Sequence, residues 1–317
     1  MLPLLSEGFV WSSKTHNCKN EIVCDWILVN VLLCEDDVFS KADFVDYLVE
    51  EHVYSTESMC LEYLDLIWGE LESQLWGLGE YSPIKFEGRR ARRVKEWNET
   101  PAFTFCLLLY LKKYFPDWDK HIKDKNEYGI QGRLFEELCL VSAKCRFTGF
   151  KVGDFGWSKS TTISFKELVE KLADFACEEM EPEEKFKKYV SKSAKDGGLD
   201  IAWTTDFPDL RSGRNTVLAQ CASGHDLKSK LDTPNLSLWT KVIDWSKRPT
   251  KAFWTPFHLQ ESSFSSMSLM SQAEMFDRSR ILGVNLDEQD WVPDELRTEL
   301  EKWLGRKVDW IKSLDVA

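Results

Sequence analysis

The sequence predicts an α/β protein with a helical N-terminal section, on three observations. Residues 1 to about 125 carry apolar residues at helical spacing. Residues from about 126 to 260 alternate helical and strand-like patterns, and two short apolar runs at 199–203 and 216–222 are bounded by Gly, Pro and Asp. Taken in order, Glu21 to Leu33 is mostly apolar, and Ser40 caps an amphipathic run through Phe44, Tyr47 and Leu48. Cys60, Tyr63, Leu64, Ile67 and Leu71 recur at helical spacing, and Pro101 opens Phe103 to Tyr114. Ile130 to Cys145 reads as a helix, and Phe150 to Phe155 as a short strand. Phe165, Leu168, Val169 and Leu172 form the apolar stripe of a further helix. Two strands follow, joined by the loop Asp206 to Asn215. Then come a helix near Leu236 to Trp245 and a strand at Lys251 to His258. Ser262 to Ser271 reads as a Ser/Met-rich loop, and Pro293 to Leu304 as a closing helix.

At 317 residues the chain has room for about two domains, read as 1–125 and 126–317. With 43% hydrophobic and 30% charged residues it has the composition of a globular protein rather than a disordered or fibrous one. No apolar run approaches the roughly 20 residues that span a bilayer, and no signal segment is visible, so a cytoplasmic protein without a membrane partner is expected. The nine cysteines are odd in number and scattered, which fits buried reduced thiols. His16, Cys18 and Cys24 match no common zinc spacing.

The chemistry concentrates in Asp196-Gly197-Gly198-Leu199-Asp200 and in Gln220-Cys221-Ala222-Ser223-Gly224, with Phe135-Glu136 on the helix upstream. A carboxylate inside an apolar strand is costly unless a cation or a donor compensates it. An acid from a helix and polar groups from paired strands could converge on one metal ion, which suggests phosphodiester chemistry. Period two along the second strand places Leu218, Gln220 and Ala222 on one face.

The series Gly132-x-x-Phe135-Glu136, Asp196-Gly197-Gly198-x-Asp200 and Gln220-Cys221 resembles the PD-(D/E)XK nuclease superfamily, closest to the Mrr-type restriction endonucleases. The resemblance covers roughly residues 128 to 285. It implies a restriction-endonuclease-like fold, a mixed sheet flanked by helices behind an all-helical N-terminal domain. It also implies a Mg²⁺- or Mn²⁺-dependent endonuclease acting on DNA in bacterial restriction or antiphage defence, with a partner protein of such a system possible. Asp200 is then the principal metal ligand and Glu136 a second or water-mediated one. The Gln220 carbonyl and the backbone carbonyl of Cys221 complete the set. The family's strand lysine is replaced by Ala222. The longer string Gln220-Cys221-Ala222-Ser223-Gly224 to Lys230 resembles a subgroup in which the lysine has left the strand and Asp277-Arg278-x-Arg280 recurs. Lys230 is the expected replacement, with Lys228 beside it as a phosphate contact.

The net charge of −12 is unusual for a nucleic-acid protein, so affinity would depend on local basic clusters. Arg89, Arg90, Arg92 and Arg93 form one, read either as phosphate contacts or as a solvated helix face. Lys192 and Lys195 belong to a second, leading into the Asp196 turn. The alternative function is a nuclease-fold protein without catalysis that serves as a binding or scaffolding subunit. RNA in place of DNA stays open.

Overall fold

A computed structural model describes residues 1–5, 11–12, 15–16, 20–115, 118, 126–156, 164–182, 184, 186 and 197–314. The chain divides into two compact units. The first holds Met1–Glu127, Pro256–Leu259 and Arg278–Ala317; the second holds Tyr128–Thr255 and Gln260–Asp277. The C-terminal segment thus belongs with the N-terminal unit and not, as expected, with residues 126–277.

The first unit opens with a two-stranded ribbon, β1 (Trp11–Ser12) and β2 (Thr15–His16). Helix α1 (Asn20–Leu33) is buried along its length from Ile22 to Leu33, where every residue but Asp25 and Asn30 is apolar. After β3 (Val38–Ser40), Ser40 caps α2 (Lys41–Glu50) through a reciprocal capping box with Asp43. Helix α3 (Glu57–Trp76) buries Cys60, Leu64, Ile67 and Leu71. The next segment is not helical. It forms a hairpin of β4 (Ile84–Glu87) and β5 (Arg90–Arg93), and β5 lies central in a three-stranded antiparallel sheet ordered β3-β5-β4. The unit is therefore not all-helical.

Helix α4 (Pro101–Leu111) is almost entirely buried. Its first N–H groups lack helical acceptors, and Pro101 removes one donor. The buried Glu288 carboxylate accepts from Ala102 N at 2.8 Å and Phe103 N at 3.0 Å.

In the second unit, α5 (Glu127–Arg146, its first residue in the first unit) leads to β6 (Phe150–Asp154), α6 (Phe165–Ala176) and β7 (Glu179–Met180). Then come β8 (Ile201–Thr205), β9 (Thr216–Cys221), α7 (Leu236–Val242), β10 (Ile243–Asp244) and β11 (Thr250–Trp254). The expected loop at 262–271 is instead helix α8 (Glu261–Ser271), followed by β12 (Ala273–Phe276). The central sheet has the order β12-β11-β9-β8-β6. Its β6, β8 and β9 are antiparallel, while β9, β11 and β12 run parallel. The sheet is mixed. A parallel pair needs a crossover rather than a tight turn, and α8 is the crossover from β11 to β12. Strands β7 and β10 form a separate small pair. Helices α6 and α7 bury Phe165, Leu172, Trp239 and Val242 with Ala202 and Leu218 of the sheet.

The chain closes in the first unit with α9 (Arg278–Leu282), α10 (Glu288–Trp291) and α11 (Asp294–Lys312). Trp303 of α11 meets Phe105 of α4 edge-on, with ring centroids 5.0 Å apart. The described residues form eleven α-helices, none of them long and apolar enough to cross a membrane.

Candidate functional site

The Gly197-Gly198 pair turns the chain into β8 with φ of 60° and 70°, the left-handed region that side chains with a Cβ avoid. Gly198 is also crowded. A Cβ there would run into Thr233 Cβ and lie 2.7 Å from Thr233 Cγ2 and 2.9 Å from Gln220 Oε1. The glycines let Asp200 enter the ladder, where its N–H donates to Ala219 O at 2.9 Å. Continuing the register of Ile201 with Ala219 sets Asp200 opposite Gln220.

Both side chains are buried, at 5% and 7% exposure. One oxygen of Asp200, Oδ2, accepts from Cys221 N at 2.6 Å and from Gln220 Nε2. The same Nε2 donates to the Cys221 carbonyl at 3.2 Å. A carboxylate oxygen and a backbone carbonyl therefore converge on one point, which the Gln220 amide now fills.

Glu136 projects from α5 and sits against Gly156: its Oε2 is 2.5 Å from where a Cβ on that glycine would lie. Cys139, one turn along α5, and Cys221 on β9 meet thiol to thiol. Burial pushes both thiols up, and the charges of Asp200 and Glu136 add to the effect at each. That shared influence puts the helix acid and the strand acid around the same cysteine pair. Glu137 instead pairs with Arg133 at 3.3 Å on α5 itself, so Glu136 is the acid turned toward the strands.

Two residues that sequence reasoning passed over stand nearby. Asp154, at the end of β6, has Oδ1 3.6 Å from the same Gly156 point and accepts from Gly156 N at 3.1 Å. An acid closing a short strand just before a glycine was the available signal. Lys251, on β11, is half-buried and donates from Nζ to Leu231 O at 2.9 Å; one lysine at a strand start gave no signal.

The expected basic residues are distributed differently. Lys230 and Lys228 lie in a 3₁₀ turn, Lys228–Lys230, rather than on a helix, and both are exposed to solvent. Neither forms an ion pair among the described residues. Ala222 is fully buried, and its N–H donates to Trp254 O at 2.8 Å. Arg90 and Arg92 are exposed on one face of β5, where Lys85 pairs opposite Arg92, and Arg89 is exposed in the turn. They lie on a strand, not a helix. The Arg93 side chain, by contrast, is 9% exposed and donates to Leu32 O at 3.0 Å and Cys34 O at 2.8 Å, with Asp37 alongside. It closes the orphan carbonyls at the end of α1. Lys192, Lys195 and Asp196 lie outside the described residues. Arg278 is buried and bidentate to Asp25, at 3.0 and 2.5 Å, with Gln74 Oε1 at 3.4 Å. Its part of the recurring Asp-Arg motif is an internal ion pair.

Among the described residues, no three His, Cys, Asp or Glu side chains gather into a metal-holding group. Mg²⁺ does not require one: it favours hard oxygen ligands, takes one or two carboxylates and keeps several waters. Asp200, the Cys221 carbonyl and the Gln220 amide, turned over to present Oε1, fit that description in kind. No protein-family model, curated protein or solved structure matches the chain.

Proposed function

We propose that the chain is a Mg²⁺- or Mn²⁺-dependent endonuclease that hydrolyses DNA phosphodiester bonds, with a restriction-endonuclease-like second unit and a role in restriction-type defence. The observation that carries this reading is the convergence of Asp200 Oδ2 and the Cys221 carbonyl on one point beside Gln220. A divalent cation bound there supplies Lewis-acid polarisation of the phosphate and an activated water. Asp200 holds the charge balance at that point, the Cys221 N–H fixes the orientation of its carboxylate, and Glu136 orients water from the helix side. The exposed Arg89, Arg90 and Arg92 supply phosphate affinity in an otherwise acidic chain.

One observation favours a second reading, a nuclease-fold binding or scaffolding subunit. Ala222 is buried where a strand lysine would stand, and Lys228 and Lys230 are in solvent. The test is cleavage of plasmid DNA, with an RNA arm, in Mg²⁺, Mn²⁺ and EDTA. Wild type cuts with metal, and Asp200→Ala does not while staying folded. Wild-type cleavage by Asp200→Ala removes the site, and an inactive wild type favours the scaffold. A fall of about 10²-fold in Lys230→Ala would assign Lys230 the missing charge; parity with wild type removes it from that role.

A further inference from the structure

Besides Lys151 on β6, Lys251 is a charged side chain on the Gln220 face of the sheet. Parallel pairing aligns Lys251 with Leu218 and Phe253 with Gln220. Side chains alternate along a strand, so Lys251, Leu218, Phe253 and Gln220 project from one face. The Lys251 ammonium donates to Leu231 O at 2.9 Å. Leu231 is buried and ends the Lys228–Lys230 turn. Two residues on, Thr233 N donates to Lys230 O at 2.9 Å, and the Thr233 side chain lies against Gly198. Gly198 in turn abuts Gln220 Oε1. Lys251 thus holds Leu231, two residues along the same turn from Thr233, and Thr233 lies against Gly198 beside the amide that meets Asp200.

We propose that Lys251 is a positioning residue of the Asp200 site: by anchoring the 231–233 turn it holds Gly198 and fixes the plane of the Gln220 amide. Its catalytic consequence rests on the nuclease reading; its structural consequence does not. Burial draws the Lys251 ammonium below the usual lysine range, with Asp232 opposing, as expected for an amine held against a carbonyl under a turn.

The test uses the full chain with Lys251→Met, which keeps a stem of similar length and removes the donor, and Lys251→Arg, which keeps one. The first readout is the ¹⁵N side-chain amide signal of Gln220, assigned by its loss in Gln220→Leu. Lys251→Met should shift or broaden that signal, and Lys251→Arg should leave it near its wild-type position. The second is metal-dependent DNA cleavage. There Lys251→Met should lower kcat by about 10–100-fold, the range for loss of an outer support to a ligand, with KM unchanged and activity regained in Lys251→Arg. An unmoved Gln220 signal in Lys251→Met overturns the inference. A responsive signal in a protein that cuts neither DNA nor RNA removes the nuclease reading and leaves the positioning role standing. If Lys251→Met does not fold, Thr233→Ala interrupts the same run one step later, and an unmoved Gln220 signal in that variant also overturns it.

Discussion

Gly198→Ala is the most demanding single substitution in the site, and its magnitude follows from two separate effects. The residue has φ +70°, and an L-residue in that region costs about 1–2 kcal/mol. The new methyl would also run into Thr233 Cβ and come within 2.9 Å of Gln220 Oε1. Forcing a methyl into a filled site costs about 1–3 kcal/mol. Together they predict a loss of about 2–5 kcal/mol. At a urea dependence of about 2 kcal/mol per molar, the midpoint falls by about 1–2.5 M. Gly224→Ala is the matched control: it lies four residues beyond Gln220, its Cβ would meet nothing within 4 Å, and it should stay within about 0.5 kcal/mol of wild type. Gly197→Ala falls between, with φ +60° but its first contact at 3.1 Å, to Trp239 Nε1. The assay is urea unfolding followed by tryptophan fluorescence, to which Trp239 beside this turn contributes. If Gly198→Ala and Gly224→Ala share one midpoint, the claim that this turn admits only glycine is wrong.

Burial pushes the Glu288 carboxyl from 4.5 to about 7, outweighing its two backbone N–H bonds. The folded chain then keeps a proton that the unfolded chain has released. Stability should therefore fall as pH rises from about 4.5 to 7, by about 3 kcal/mol. Urea midpoints at pH 5 and 7 should differ less in Glu288→Gln, and equal slopes would refute the assignment. Arg278→Met leaves Asp25 buried at 1% exposure without its guanidinium and should cost about 3–5 kcal/mol. Asp25→Leu combined with Arg278→Met should recover much of that in thermal melts; a double variant no better than the single one argues against an uncompensated charge. Reversing Arg89, Arg90 and Arg92 to Glu should leave the melting temperature unchanged while weakening DNA binding and flattening its salt dependence. Arg93→Met should do the opposite, with about 2 kcal/mol of stability lost and the salt slope kept.

Much of the second unit was legible because its signals are local. The two site strands, the helix over 127–146 and the strand at 150–154 all follow from periodicity, and alternation placed Gln220 and Ala222 on one face. The paired glycines before Asp200 announced a turn that only glycine makes. What escaped was decided at a distance. Arg90–Arg93 carries no strand preference of its own and becomes one by pairing with Val38–Ser40; Gly88, at φ +62°, was the one local sign of a hairpin. Ser262–Ser271 is poor in helix formers, yet the parallel pairing of β11 and β12 demands a crossover there. The place of Lys230 depended on whether 228–230 continued as a helix, and a single 3₁₀ turn left it outward. The division at 126–317 failed because α11 is amphipathic in a way that names no partner.

The first unit joins residues 1–127 with residues 278–317, on either side of the second unit in sequence, and this bears on the order in which the two units are completed during synthesis. Glu288 closes the start of α4 from 186 residues away, and Arg278 neutralises Asp25 across 253. When the chain has been made only to about residue 115, α4 is present without Glu288, which caps its start, and without Trp303 of α11, which packs on Phe105. The intervening stretch emerges complete and in sequence, with its whole sheet available before α10 and α11 exist. The expected path is therefore one in which the second unit completes its contacts before the first unit, whose α4 is capped only after residue 288 has been made. A ribosome stalled near residue 280 should carry a folded second unit and protease-sensitive N-terminal helices.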